Sequence, residues 1–533
     1  MRRRRGRRGQ VGSGAARLRR SIRLGLSSRG RELQDASMTI PLGPIDIAVL
    51  VVYFGAAIAI GLFAAGRIRT LDAYLLGDRD LPWWVVLGSI VATETSAATV
   101  LSVPGESFGE AGMRFLQLPL GYMLGRLAIV RFLLPLYFRG ELNTAHEVLR
   151  DRFGPLMQRA AALLFLVARN LGDGLRLFLA ALVFQKLTGW PLAWSVGAMG
   201  AITILYTVLG GLRSVAWNDC LQLVIYVLGG IVAVFVIASR IPGGWPAAWD
   251  FAIAHDKLRM FDFSFDLANP YTFWAGLFGG AVLSLGTHGT DHMMVQRYLS
   301  ARGQREAARA LLTSGIVVFL QFVLFLGIGV LLAAFHGLGG EAPPARPDEV
   351  FATFIVTHFP RNTGLVGLLL AAILAAAMST IASSLNASAS SLAHDVWLPL
   401  RAAAGRRETL APAAALALTR WFTVAFGIVQ IVVGIAAASM DSTVVSRALT
   451  IAGYSAGLLL GVFVLGVATR RVGQSAALVG AAAGLAALLA VQFVLPGQGV
   501  TIAWPWYALV GSSVTVVVAL LVTPLLPRQE FRS

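Results

Sequence analysis

Residues 81–105 read LPWWVVLGSIVATETSAATVLSVPG. The stretch is long enough to cross a bilayer. Yet its middle carries Thr93, Glu94, Thr95, Ser96 and Thr99, and it ends on Pro104 and Gly105. A carboxylate and four hydroxyls at that depth are costly unless they face a cavity, a partner or an ion. The proline and glycines predict a helix that is interrupted within the membrane, with irregular backbone lining a cavity.

The rest of the chain supports a membrane setting. Of its 533 residues, 56% are hydrophobic and only 13% charged, and the mean hydropathy is +0.72. Soluble domains carry about 25% charged residues. Apolar runs long enough to span recur along almost the whole length, and no short alternating segments of the kind that build transmembrane barrels interleave with them. The expected fold is all-α and polytopic, with thirteen spans near 44–64, 82–104, 112–137, 157–185, 190–209, 217–238, 272–293, 308–335, 362–392, 416–437, 443–466, 474–495 and 504–526. The lone cysteine, Cys220, excludes an intrachain disulfide and a cysteine-cluster metal site.

The net charge of +17 is concentrated at one end. Residues 1–37 hold twelve arginines against Glu32 and Asp35, which leaves +7 for the remainder. This Gly-, Ser- and Arg-rich tail has no apolar face and is expected to be disordered; Met38, with a span close behind it, is read as the functional start. Counted over alternate loops, one side carries twenty arginines, among them Arg79, Arg150, Arg302, Arg401 and Arg470, and the other carries eight Lys and Arg. The positive-inside rule places the twenty in the cytoplasm, with the C-terminus inside and the chain in the cytoplasmic membrane. Twelve further arginines at an N-terminus meant to lie outside conflict with that orientation, a second reason to set the tail apart.

Four spans are chemically distinctive. In the second, Ala92 and Thr95 share a helix face; if the helix unwinds there, their carbonyls lose intrahelical partners and become free to bind a cation. The ninth, LAAILAAAMSTIASSLNASASSLAHD (370–395), places Ser379 and Thr380 one turn after Ala376. Neutral oxygens suit a hard, weakly held cation, whereas small residues also let helices pack closely; both readings stay open. The fourth, ARNLGDGLRLF (168–178), sets Arg169 four residues before Asp173 and leaves Arg176 without a sequence-local partner. It reads either as a structural ion pair with a snorkelling arginine or as an anion-recognising group. The seventh, FGGAVLSLGTHGTDHMMVQRYL (278–299), has Gly286 and Gly289 as breakers. Its His288, Asp291 and His292 have poor metal spacing and read as a cap or gate at the cytoplasmic end.

Enzyme signatures are absent. There is no phosphate-binding loop, no nucleophile elbow and no H-E-x-x-H, since His146-Glu147 runs on to Arg150. A membrane-embedded transferase would rest only on His394-Asp395, and a sensor would need a signalling domain where seven residues follow Leu526.

At five places in order, the sequence resembles the sodium/solute symporter family, which includes sodium-coupled sugar, proline and monocarboxylate carriers. The matching stretches are LGDRDLPWWVVLGSIVATETSAATVLSVPG (76–105), NTAHEVLRDRFG (143–154), YTVLGGLRSVAWNDCLQ (206–222), GTDHMMVQRYLSARGQREAARA (289–310) and AAAMSTIASSLNASAS (375–390), and the likeness runs from about residue 44 to 470. The resemblance implies a LeuT-type fold of two five-helix inverted repeats, here 81–238 and 272–466. These would be flanked by a first helix and loop (38–80), an extracytoplasmic loop (239–271) and C-terminal helices (467–533). It implies a sodium ion held by carbonyls of Ala92, Thr95 and Ala376 and hydroxyls of Ser379 and Thr380, with Asp219 near the ion's exit route.

The expected function is sodium-coupled symport of a small polar organic solute by alternating access. No cofactor is expected other than sodium as coupling ion; the expected partners are the solute, sodium and the lipid bilayer, with no nucleic acid. The solute is expected among Glu94, Ser96, Thr99, Gln117, Arg169, Asp173, Arg176 and Thr287, with a preference for a carboxylate because Arg176 reads as unpaired. Two departures stand out: Glu94, where many relatives are neutral, and Ala98, where several sugar carriers are polar. Glu94 reads as a group that tunes the cation, carries a proton in a proton-driven variant, or pairs with an arginine of the fourth span.

Overall fold

The computed structural model describes residues 42–526 except 66, 67, 69, 141, 406–410 and 438–443. The tail 1–37 and Arg67, Arg69, Arg406, Arg407, Arg528 and Arg532 of the charge count lie outside the described residues. Within them every regular element is a helix, and the only β pairing is an isolated bridge between Leu81 and Ala301. Helices alone let each backbone group bond within its own segment, which the hydrocarbon requires.

Eight described helices are long and apolar enough to span, or nine if one bent pair counts as a single span. The others expected are too charged, too short or interrupted. α1 is Pro44–Ala65. The opening stretch forms α2, Trp83–Glu94, and α3, Ala97–Phe108, with a 59° bend between their axes. α4, Gln117–Ala128, belongs to the third apolar stretch, and α5, Pro155–Thr188, carries the charged ARNLGDGLRLF segment. α6, Leu192–Arg240, holds the expected fifth and sixth spans in one run, turned at Gly211, whose φ of 57° suits glycine. The short α7, Gly244–Ala254, lies in the following loop.

The seventh apolar stretch gives α8, Gly280–Gly289, then a joint at Thr290 and Asp291, then α9, His292–Leu299. The interruption falls after Gly289, not at Gly286. α10 is Gln304–Gly339, α11 Leu365–Ser391 and α12 Pro412–Ala436. α13, Val444–Ala468, α14, Gln474–Leu489, and α15, Tyr507–Val522, pack together at the C-terminal end.

α11 is the axis of the molecule. It packs against α1, α2, α5, α6 and α12, and 89% of its most apolar window is buried. Its run of Ala and Ser makes that possible, because small side chains let five neighbours approach one backbone.

Candidate functional site

The break in the opening helix is made by hydroxyls and not by the proline. Thr95 and Ser96 both adopt extended backbone (φ/ψ −83/112 and −107/171), while Pro104 sits inside a continuous α3. Ser96 and Thr99 form a capping box at the start of α3. The Ser96 amide, which would have bonded the Ala92 carbonyl in an unbroken helix, turns to Thr99 Oγ1 at 3.3 Å. A polar side chain of this kind offers the backbone an alternative to the next helical hydrogen bond.

α11 supplies the other half. Thr380 Oγ1 lies 3.2 Å from the Thr93 carbonyl, 3.4 Å from that of Thr95 and 3.3 Å from that of Ala376. One hydroxyl therefore stands among three carbonyl oxygens, two of them from the loosened end of α2. Next to it, Ser379 donates to Asp219 at 2.5 Å, and Ser89 donates to the other oxygen of Asp219 at 2.5 Å. Of the five expected cation residues, Thr95, Ala376 and Thr380 meet here and Ser379 stands beside them on Asp219, while the second α2 carbonyl at Thr380 is that of Thr93 and not of Ala92.

Several groups that hold this arrangement are not among the residues expected from the sequence. Thr95 Oγ1 donates to the Val91 carbonyl at 2.8 Å and is gripped by Gln321 and Tyr226. Arg297 is fully buried, donates to Ser383 and lies 3.7 Å from Asp219. Gln321 and Arg297 are polar groups within apolar or buried segments, and that is the signal that marks them. Other α11 polar groups serve packing: Ser384 bonds Gln430, Asn386 bonds Gln296, Ser388 bonds Asn170 and Ser391 bonds Asp395. The packing reading of the ninth span holds for these residues.

Above the break opens a cavity of about 790 Å³. Of the expected solute residues, Glu94, Ser96, Thr99, Arg169, Arg176 and Thr287 line it. Phe115, Tyr122, Tyr271, Phe322 and Trp504 give it aromatic walls, and Glu110, Asn269 and Pro347 carry it out to the loops. Two expectations are corrected. Gln117 is not in the lining; its side chain ties the 257–271 loop by donating to the Tyr271 carbonyl at 2.8 Å and accepting from the Asp262 amide at 3.0 Å. Asp173 is fully buried behind the lining and pairs with Arg176.

The charge pairing also differs from the expectation. Arg176 has a sequence-local partner after all, Asp173 at i−3. Arg169 reaches across the bundle to Asp291, with Asp173 at 3.9 Å. Glu94 pairs not with the fourth span but with Arg126 of α4, and lies 3.2 Å from His288 Nε2. His288, Asp291 and His292 part company: His288 faces Glu94, Asp291 pairs with Arg169, and His292 Nδ1 accepts from the Ala145 amide at 3.3 Å. Asp395 is buried under hydrogen bonds from Thr144, His146, Gln158 and Ser391, a structural knot with no open face.

Sequence comparison is consistent with this geometry. The family model described as "Sodium:solute symporter family" matches residues 74–484. The human sodium/iodide cotransporter is 28% identical over 444 residues, 82% of this chain and 67% of its own. The sodium-dependent multivitamin transporter of Oryctolagus cuniculus is 30% identical over 453 residues, 83% of this chain and 69% of its own. The human sodium-coupled monocarboxylate transporter 2 is 29% identical over 451 residues, 83% and 71% of the two chains. A solved Na+-coupled sialic acid symporter superposes with a TM-score of 0.81 at 24% identity, covering 91% of this chain and 98% of that one, a likeness of fold. That fold match bears out the expected LeuT-type all-helical architecture. Sodium is the family's coupling ion and its members are transporters, not enzymes. The chain is a multi-pass membrane protein that belongs to the sodium:solute symporter family.

Proposed function

We propose that this protein couples the inward movement of sodium to import of a small polar organic solute bearing a carboxylate, by alternating access across the cytoplasmic membrane, with its C-terminus inside. The observation that carries the reading is the meeting of the Thr93, Thr95 and Ala376 carbonyls at Thr380 Oγ1 beside the break. Sodium is held by the carbonyls of Ala92, Thr95 and Ala376 and the hydroxyls of Ser379 and Thr380. Its binding ties the broken helix to α11, and separating the two releases it. The solute occupies the cavity above, between the break and the α5 wall. Linkage makes each ligand raise the other's affinity.

The carboxylate preference no longer rests on an unpaired Arg176. It is supported by two guanidinium groups, Arg169 and Arg176, on one wall of the cavity, and by relatives whose names specify iodide and monocarboxylate, both anions.

The test is thermal unfolding of purified protein in sodium and in potassium at equal ionic strength. Sodium alone is expected to raise the midpoint, because a ligand that binds only the folded state stabilises it. The Ser379→Ala, Thr380→Ala double variant is expected to lose that increment. Equal stabilisation by potassium, or an increment that survives the double substitution, would sink the reading.

A further inference from the structure

The floor of the cavity holds a charged knot that sodium binding does not use. Glu94 closes α2 one residue before the break, Arg126 comes from α4 and His288 from α8. α4 and α8 touch backbone to backbone: a Cβ on Gly125 would stand 2.5 Å from the Ala281 carbonyl. That approach leaves Arg126 Nη2 within 3.3 Å of His288 Nε2.

The hydrogens of the knot follow from its partners. The Thr287 hydroxyl donates to the Leu283 carbonyl at 2.9 Å, so toward His288 it can only accept. His288 Nδ1, 3.0 Å away, therefore carries a ring hydrogen. Arg126 Nη2 donates to Glu94 Oε2, and His288 Nε2 lies 3.3 Å from that Nη2 and 3.2 Å from the same Oε2, so all three groups converge on one oxygen of Glu94.

The knot leaves one atom over. Glu94 Oε1 has no hydrogen-bond partner among the described residues, and Glu94 lines the cavity. The charge that balances it is hidden, since Arg126 is 1% exposed and stands outside the lining. A carboxylate oxygen is acceptor-only, and it sits at a helix C-terminus, where the backbone is also negative. An anionic group of the solute is unwelcome at this point, whereas an O–H or N–H completes it. The guanidinium groups that suit an anion, Arg169 and Arg176, belong to the α5 wall.

We infer that Glu94 Oε1 receives a hydrogen-bond donor of the solute while the α5 arginines receive its carboxylate, so the solute is a carboxylate that also bears a hydroxyl or an N–H group. This rests on the solute-symport reading above. His288 and Arg126 are positioning residues: they turn Glu94 so that one oxygen is held and the other is presented.

The test uses the purified full chain in sodium with a matched trio of butyrate, 3-hydroxybutyrate and 3-aminobutyrate, read by binding calorimetry. A hydrogen bond to a charged group is worth on the order of tenfold or more in affinity. The hydroxy or the amino acid is therefore expected to bind at least about tenfold more tightly than butyrate, and Glu94→Ala is expected to bring that ratio near one. Glu94→Gln keeps the shape and an acceptor oxygen. It is expected to preserve an advantage that comes from a hydroxyl and to abolish one that comes from an ammonium, which separates the two donors. Butyrate binding as tightly as its analogues, a ratio unchanged in Glu94→Ala, or no binding by any of the three would overturn the inference. The midpoint shift with sodium alone, measured without carboxylate, reports separately on the cation reading.

Discussion

Residues 81–105 and helix α11 face each other and carry the same kind of sequence, hydroxyls scattered among Ala, Val, Leu and Ser. α11 nevertheless runs unbroken from Leu365 to Ser391, while the other segment stops at Glu94 and restarts at Ala97. The difference lies in what the hydroxyls bond. In α11, Ser379, Ser383, Ser384, Ser388 and Ser391 reach side chains of other segments or beyond the helix end, and the backbone keeps its own ladder. Between α2 and α3, Thr99 turns back on the Ser96 amide and takes a backbone hydrogen bond for itself. Polar content alone does not break a membrane helix; a side chain that competes for the backbone does.

The comparison can be broken most forcefully at Asp219, the group that ties α11 to its neighbours. It accepts from Ser379 and Ser89 and lies 3.7 Å from the buried Arg297. Asp219→Asn leaves that guanidinium without its countercharge, and a loss of about 3–5 kcal/mol is expected, measured by chemical unfolding in detergent. A loss below about 1 kcal/mol would show that the face of α11 is held by packing alone.

Next in size is Gly329→Ala. α3 rests on α10 so closely that a Cβ there would stand 1.9 Å from the Pro104 carbonyl. Overpacking of this sort costs about 1–3 kcal/mol, and thermal unfolding is expected to show it. An unchanged midpoint would mean that α3 shifts away freely instead of being wedged in place.

Thr99→Ala removes the capping box and returns the Ser96 amide to the Ala92 carbonyl. The expected cost is about 1 kcal/mol, and a sodium titration of the unfolding midpoint is expected to be shifted to higher concentration. If stability falls while the sodium response is untouched, the break does not depend on the cap.

The smallest effect belongs to α11 itself. Ser390 Oγ is buried without a partner among the described residues, so Ser390→Ala is expected to change stability by no more than about 0.5 kcal/mol, or to raise it. A large loss would point to a water held there and would narrow the contrast between the two helices.

Much of the site was legible before any coordinate. Apolar length marked the helices able to span, eight or nine among the described residues and not the thirteen expected, and the hydroxyl cluster marked the break to within a few residues, although Pro104 lies inside a continuous helix. Six of the eight expected solute residues line the cavity. The partners were not legible. Arg126 reaches Glu94 across 32 residues, and Gln321 reaches Thr95 across 226. Spacing along one helix suggested Arg169 with Asp173, whereas the closer partner of Arg169 is Asp291, 122 residues away. Gln117 differs for a related reason: its side chain is spent on tying down a loop that is distant in sequence.

The sequence by itself determined the class, the helical architecture and the place where the segment 81–105 loosens. These depend on local quantities, namely the length of apolar runs, the need to satisfy every backbone group in hydrocarbon, and hydroxyls three residues apart. Only the tertiary structure decided which oxygens share a site and which charges cancel. In a low-dielectric interior those outcomes depend on distance through space, and helices far apart in the chain set that distance. Glu94 shows the division: its presence in a membrane helix announced a function, and only the approach of α4 and α8 left one of its oxygens held and the other open.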